Sequence, residues 1–313
     1  MAGLLTRIAR RAGEERHRFG QSLVEKGLLP GWSDYTKFVV LSDIRSGSTM
    51  LTNFLQSHPA TRVFYEPFHI SPIGVPFDVP GYLARGRSVS VSEERNTDPV
   101  SFLHHHLYTR MPKSIEAVGF KLIHTQARKA ATWWDEPGYA DWWEHVDETA
   151  RLRWRTAKSD LWQALADDLS IKVILLEREN PLEGVVSAEL AKATGHWGIG
   201  ATGGMKEGAN EAQVTLQTDT LVRDLKAAKR HHADAADRFA KHEIIETSYE
   251  RLVADPAEEL ARLQNFLGLQ PSELKTKTRK QQKRPFTETV SNWDEVVTLL
   301  NKHDLSHLTV PGT

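Results

Sequence analysis

The stretch of residues 37–51, KFVVLSDIRSGSTML, constrains the fold of this chain more than any other. Its apolar, β-branched first part predicts a buried strand over residues 38–41. A short loop follows, and Ser48 and Thr49 begin a predicted helix. Because the start of a helix leaves backbone N–H groups unpaired and carries a partial positive charge, this strand–turn–helix unit is suited to hold a phosphate group.

The turn departs from the usual nucleotide-binding loop. A Walker A loop places a lysine directly before its Ser/Thr, whereas here Ser48 precedes Thr49 and the cation, Arg45, comes before Gly47. The loop amides and the hydroxyls of Ser46, Ser48 and Thr49 can coordinate a phosphate. Arg45 can reach an oxygen that gains negative charge as a bond breaks. The alternative is an ordinary serine-rich turn that caps a helix.

Composition narrows the functional classes. The 313 residues carry 40 basic and 41 acidic side chains, so no global field favours nucleic acid or an anionic membrane. The absence of cysteine excludes disulfides and thiolate metal sites. No apolar run approaches the roughly 20 residues needed to cross a bilayer, and the basic residues 1–18 lack a secretory apolar core. These features predict a cytoplasmic protein.

Five apolar runs predict a mainly parallel sheet. Helical patterns separate several of them, which predicts an α/β fold flanked by helices, with helical insertions. We expect a single domain over residues 1–313. Within it, residues 1–34 are predicted to form a helical extension, residues 125–170 a Trp-rich helical insertion, and residues 195–240 a Gly-rich loop and a long helix. The runs are residues 38–41, 62–65, 117–123, 171–176 and 243–247.

Two helix starts have capping signals. Asn180 and Asp255 are each followed by proline and, three residues on, by Glu183 and Glu258. This pattern predicts an N-cap with proline at the first helical position. Gly268 is expected to end the second of these helices.

Two further places carry candidate chemistry. Glu66 follows the second apolar run, and Pro67 ends that strand, so a partly desolvated carboxylate beside the anion turn can act as a general base. The alternative is a solvated carboxylate.

Arg178 lies at the end of the fourth run, and Ser187 follows about two helical turns later, which suits a second phosphate site at the strand ends. Here the alternatives are a salt bridge from Arg178 to a nearby glutamate and a packing role for Ser187.

Together these motifs resemble a known family. The sequence Arg-Ser-Gly-Ser-Thr at 45–49 is similar to the 5′-phosphosulfate loop of sulfotransferases that use 3′-phosphoadenosine 5′-phosphosulfate (PAPS), and the 178–187 unit resembles their 3′-phosphate site. The resemblance is to bacterial carbohydrate sulfotransferases of the trehalose and nodulation-factor type. Further matches are YEP at 65–67, GFKL at 119–122, TGHW at 194–197, YERL at 249–252, and KQQKRP and VSNWDEV at 280–285 and 290–296.

The resemblance implies a P-loop-type sheet and a division of roles. Residues 45–49 would hold the 5′-phosphosulfate, with Arg45 near the bridging oxygen. Arg178 and Ser187 would bind the 3′-phosphate, and Glu66 would deprotonate an acceptor hydroxyl. The donor would be PAPS, the product adenosine 3′,5′-bisphosphate, and no metal would be needed. Many relatives carry lysine at the position of Arg45, and Glu179 stands where a second basic residue often follows.

The remaining candidates concern the donor lid and the acceptor. Six positive charges lie within residues 275–284, where Lys280 and Lys283 could cover the 3′ side of the donor; the alternative is a solvated loop. Aromatic residues are not interleaved there, so nucleic acid is not expected.

Tryptophan faces pack well on sugar rings, which suits a carbohydrate acceptor, although core packing of the insertion is the alternative. The acceptor candidates are Trp133, Trp134, His196, Trp197 and Lys121.

Histidine clusters are not expected to bind metal. The three consecutive histidines at 104–106 cannot all face one site on a helix, and His231 and His232 are predicted to lie on a solvated helix face.

These observations predict a PAPS-dependent sulfotransferase that acts on a hydroxyl of a sugar or glycolipid, with membrane association only through a lipid acceptor. One rival is a P-loop kinase or nucleotide hydrolase in which Glu177 would be the Walker B acid. Another is a non-catalytic phosphonucleotide-binding module. Neither the identity of the acceptor nor the oligomeric state follows from the sequence.

Overall fold

A five-stranded parallel sheet lies at the centre of the protein. The computed structural model describes residues 19–69, 89–127, 158–195, 212–276 and 284–310. The strand order is β2-β3-β1-β4-β5, and every neighbouring pair is parallel. The strands are β1 (Thr36–Ser42), β2 (Thr61–Phe64), β3 (Ala117–Ile123), β4 (Ile171–Glu177) and β5 (Ile244–Ser248). All five predicted strands and the predicted fold class are therefore confirmed.

The central strand β1 is covered on both faces. Its residues 38–41 are fully buried, as expected for a parallel strand flanked by helices on either side. Phe38 pairs in register with Gly119 of β3, and a Cβ atom at Gly119 would lie 2.5 Å from the Phe38 ring. Glycine at that position therefore lets the aromatic ring lie across the neighbouring strand.

Helices flank the sheet and extend beyond it. Within the described ranges, no helix is long and apolar enough to cross a membrane. The α-helices are α1 (Ser48–Gln56), α2 (Val89–Thr97), α3 (Pro99–Phe102), α4 (Leu161–Asp167), α5 (Pro181–Thr194), α6 (Thr218–Arg238), α7 (Tyr249–Ala254), α8 (Pro256–Phe266), α9 (Phe286–Thr289) and α10 (Trp293–Lys302). A one-turn 3-10 helix, His124–Ala127, follows β3 directly.

Hydrophobic cores lie on the two faces of the sheet. On one face Val39 and Leu41 of β1 pack in a cluster that includes α4 and the end of α6. On the other face Phe38 and Val40 pack with apolar residues of α1 and α8. Alternate residues of β1 therefore enter different cores, which is the period of two that a strand imposes.

The predicted caps have a structural basis. Asn180 Oδ1 accepts from the backbone N–H of Leu182 at 3.0 Å, and Asp255 Oδ1 accepts from that of Glu258 at 3.0 Å. Gly268 follows α8 with a φ of +73°, a conformation that glycine adopts without steric cost. The long helix α6 lies within the predicted residues 195–240, but it begins only at Thr218.

Candidate functional site

The loop between β1 and α1 has the shape of an anion-binding turn. Arg45 and Gly47 both have left-handed φ angles, +58° and +85°, which are typical of the backbone nests that bind anions. The Ser46 hydroxyl donates to the Asp43 carbonyl at 2.8 Å and holds the loop closed. A Cβ atom at Gly47 would lie 2.5 Å from the ring of Tyr249. Both the backbone angle and this close ring therefore require glycine at the turn.

Arg45 and Ser187 are in direct contact. The Nε and Nη2 atoms of Arg45 donate to the Ser187 hydroxyl at 3.0 and 2.9 Å, across 142 residues of sequence. Burial, and then the nearby positive charge of Arg178, lower the pKa of Arg45 from its ordinary value. The structure thus brings together two of the predicted phosphate-binding residues.

Arg178 lies beside the loop within a group of acidic and aromatic side chains. It donates to the Arg45 carbonyl at 3.1 Å, forms an ion pair with buried Glu183, and stacks over the Tyr249 ring at 4.4 Å. The Glu250 carboxylate lies 4.0 Å from its Nε atom, and burial raises the pKa of Glu250. Of the alternatives left open by the sequence, the salt bridge with Glu183 is present. The same arginine also fixes the backbone of the anion loop.

A hydroxyl contact joins the anion loop to β2. Thr49, in the first turn of α1, forms a hydrogen bond with the phenol of Tyr65. Tyr65 directly follows β2 and directly precedes Glu66, so the residue next to the candidate base contacts the first helical turn after the loop.

The carboxylate of Glu66 has a partner on each oxygen. Gln126 Nε2 donates to Oε1 at 3.0 Å, and the Lys121 ammonium lies 3.5 Å from Oε2. Lys121 is 4% exposed on β3, and its ammonium also lies 4.1 Å from the centre of the Tyr65 ring. A buried ammonium needs such partners because transfer out of water disfavours its charged form. The predicted candidates Glu66 and Lys121 therefore form one ion pair.

The backbone after Glu66 is held in a tight turn. The His69 amide donates to the Glu66 carbonyl at 3.0 Å. Arg95, which is 3% exposed, donates to the His69 carbonyl at 2.7 Å, and burial lowers the pKa of Arg95 to about 9. The turn that carries Glu66 is therefore fixed from both sides.

A second polar cluster lies at the same edge of the sheet. Asp43 follows β1, and its carboxylate accepts a hydrogen bond from His231 Nδ1 of α6 at 2.9 Å. The His231 ring lies 5.7 Å from that of His124, which in turn stacks on Trp162 at 6.3 Å. Burial lowers the pKa of His124 to about 4. The prediction of a solvated helix face is wrong for His231, because α6 turns this side chain toward the sheet.

Several predicted residues lie outside the described ranges. They are Lys280, Lys283, Trp133, Trp134, His196 and Trp197, and their roles stay predictions. Among the described residues, no group of three or more acidic or histidine side chains could hold a metal ion. His105 and His106 instead both contact Glu94, at 2.6 and 2.8 Å.

Sequence reasoning missed Gln126 and Tyr65 as parts of this site. Gln126 lies three residues after β3, and ligand sites in parallel sheets form at the carboxyl ends of strands. That rule, applied to every predicted strand, would have drawn attention to residues 124–127 as it did to Glu66.

Comparison with known proteins identifies the class to which this region is related. Residues 169–295 match the family model described as Stf0 sulphotransferase. This range includes Arg178 and Ser187, whereas the anion loop and Glu66 lie before it. The match confirms the resemblance to sulfotransferases that the motifs predict.

Individual relatives agree with this class. The chain is 33% identical over 128 residues to "Nodulation protein H" of Rhizobium meliloti, an alignment that covers 40% of this chain and 51% of that protein. The same identity and coverage hold for the protein of that name from strain 1021. The chain thus matches about half the length of these curated relatives.

Solved structures of sulfotransferases also align. The alignment with the sulfotransferase from Alicyclobacillus acidocaldarius has a TM-score of 0.42 at 14% identity. It covers 88% of this chain and 95% of the chain from that organism. Sulfotransferase STF9 from Mycobacterium avium gives a TM-score of 0.36 at 15% identity and covers 94% and 81%.

Proposed function

We propose that this protein is a sulfotransferase that moves a sulfuryl group from PAPS to a hydroxyl of a carbohydrate or glycolipid. The observation that carries the proposal is the contact between Thr49 and Tyr65. It joins the residue before Glu66 to the first turn of the helix that follows the anion loop, and that loop has no Walker lysine. A base and an anion-binding loop are the two parts that sulfuryl transfer to a hydroxyl requires.

In this proposal the amides of residues 46–49 bind the 5′-phosphosulfate at the start of α1. Arg45 lies at the loop, and its guanidinium stabilises the charge that builds on the bridging oxygen. The Ser187 hydroxyl accepts from two nitrogens of that guanidinium and holds it in place. The loop thus supports the departing phosphate with amides and one cation.

Glu66 serves as the base. The acceptor hydroxyl forms a new O–S bond while the bond between sulfur and the bridging oxygen breaks. The hydroxyl proton passes to the Glu66 carboxylate, and adenosine 3′,5′-bisphosphate leaves with the bridging oxygen. The Glu66 side chain is 20% exposed, so a hydroxyl can reach it while the turn around it stays fixed.

Arg178 and Ser187 remain our proposed ligands for the 3′-phosphate. In the structure Arg178 is paired with Glu183, so a phosphate must share or replace that partner. Sharing is chemically available, because the guanidinium has five N–H donors and can contact a phosphate while it keeps Glu183.

The test is calorimetric titration with adenosine 3′,5′-bisphosphate, with ATP plus magnesium as the comparison. We expect binding of the bisphosphate and little binding of ATP. The reverse result would replace the proposal with a kinase or nucleotide hydrolase. Transfer of ³⁵S from labelled PAPS to trehalose or chitooligosaccharides then separates an enzyme from a module that only binds the nucleotide.

A further inference from the structure

Gln126 lies just beyond the sheet, beside the candidate base Glu66. It lies in the 3-10 helix His124–Ala127, which directly continues β3 at its carboxyl end. Although 60 residues separate it from Glu66 in the sequence, its side chain meets that carboxylate at 3.0 Å. In the parallel pairing of β2 with β3, Phe64 lies opposite Phe120, so the chain that follows β2 runs beside the last residues of β3.

The orientation of the Gln126 amide follows from its other partner. The backbone N–H of Ile123 lies 3.2 Å from Gln126 Oε1 and can only donate to an oxygen. The NH₂ group must therefore face Glu66. Because Ile123 is the last residue of β3, the amide is anchored to the sheet itself.

The two oxygens of Glu66 are thus held by different groups. Gln126 donates to Oε1, and the ammonium of Lys121 lies 3.5 Å from Oε2. Two fixed contacts on the two oxygens set the rotation of the carboxylate plane. Lys121 supplies charge, whereas the Gln126 amide supplies a directional hydrogen bond at near-ideal length.

We propose that Gln126 is a positioning residue for sulfuryl transfer. Its amide holds the Glu66 carboxylate in the orientation in which it takes the proton from the acceptor hydroxyl. The inference rests on the proposed function, because it assumes that Glu66 is the base. Misplacement of a reacting group by about 1 Å can lower a rate by roughly 100-fold, so the loss of this contact should be measurable.

The experiment compares Gln126→Met and Gln126→Glu with the wild-type protein. Methionine has a similar length but does not donate a hydrogen bond, and glutamate places a like charge against Glu66. The matched control is Gln163→Met, because Gln163 donates to Asp167 at 2.8 Å on the exposed side of α4. The measurements are bisphosphate affinity by calorimetry and the kcat and KM of ³⁵S transfer from PAPS to trehalose and chitooligosaccharides.

We expect Gln126→Met to lower kcat by about 10- to 100-fold, with bisphosphate affinity within about twofold of wild type. Gln126→Glu should lower kcat further at neutral pH. Its activity relative to wild type should recover as the pH falls, because the introduced carboxyl can donate a hydrogen bond once it is protonated. Gln163→Met should match wild type.

Three results would overturn the inference. If Gln126→Met keeps the wild-type kcat, the amide does not position the base. A parallel loss of kcat and bisphosphate affinity would show that Gln126 only supports the fold. If the wild-type protein binds the bisphosphate but transfers to no carbohydrate probe, the proposed function fails, and this inference fails with it.

Discussion

The buried imidazole of His124 should make the stability of this protein depend on pH. Burial lowers its pKa from 6.5 to about 4, with Asp43 acting in the opposite direction and His231 and His232 adding to the decrease. The unfolded chain therefore binds a proton below about pH 6.5 that the folded chain binds only below about pH 4. The contribution of His124 to the free energy of unfolding is fully present above about pH 6.5, and it is lost as the pH falls to about 4.

The magnitude follows from the two pKa values. Each pH unit between them corresponds to about 1.4 kcal/mol, so the full interval amounts to about 3 kcal/mol. His124 is 6% exposed, and solvent therefore screens little of this effect. Since ordinary domains are stable by about 5–15 kcal/mol, the loss is a substantial part of the total.

The assay is urea unfolding followed by tryptophan fluorescence between pH 7 and pH 4. Other groups titrate in this range, so the informative quantity is the difference between wild type and His124→Gln at each pH. The free energy of unfolding of the variant should gain about 3 kcal/mol relative to wild type as the pH falls. His307→Gln, which changes an exposed histidine of the 3-10 helix Ser306–Thr309, should follow the wild-type curve. Parallel curves for wild type and His124→Gln would refute the reasoning.

Three further substitutions test the site and the fold. Glu66→Gln should lower turnover by roughly 10²–10⁴-fold and leave bisphosphate binding by calorimetry nearly unchanged; an almost unchanged turnover would remove Glu66 as the base. Arg178→Ala should weaken adenosine 3′,5′-bisphosphate by about 1.5–3 kcal/mol more than adenosine 5′-monophosphate, because the lost bond to the Arg45 carbonyl affects both nucleotides alike; equal weakening would contradict the 3′-phosphate assignment. Gly119→Ala should lower the free energy of urea unfolding by about 1–3 kcal/mol, because its Cβ would meet the Phe38 ring at 2.5 Å. Gly20→Ala is the control, since its Cβ would make only an ordinary contact at 3.5 Å, and equal stability of the two variants would count against the close-packing argument.

Local patterns predicted the elements that carry the site. The continuous apolar, β-branched run of residues 38–41 lies within one strand, and the Asn180 cap acts on an amide two residues away. Such features depend on neighbours in the sequence, so they can be recognised without the fold. The same locality placed Arg45 on the turn and Glu66 at the end of its strand.

Partners of the functional side chains could not be predicted in this way. Arg178 illustrates the difficulty, because both a phosphate site and a glutamate pair were compatible with its position. The geometry shows that it contacts Glu183 five residues on and also the Arg45 carbonyl 133 residues away. Only the parallel alignment of β1 with β4 creates the second contact.

The amino-acid sequence by itself determined the parallel α/β architecture, the anion turn and a resemblance to sulfotransferases. Only the tertiary structure decided how the side chains of the site are held. The neighbouring positions of β2 and β3 bring Glu66 next to Lys121 and Gln126, and α6 packs beside β4 so that His231 meets Asp43 across 188 residues. The physical reason is that hydrogen bonds and ion pairs act over a few ångströms of space. Sequence patterns predict which residues are close in space only within one strand or a few turns of one helix.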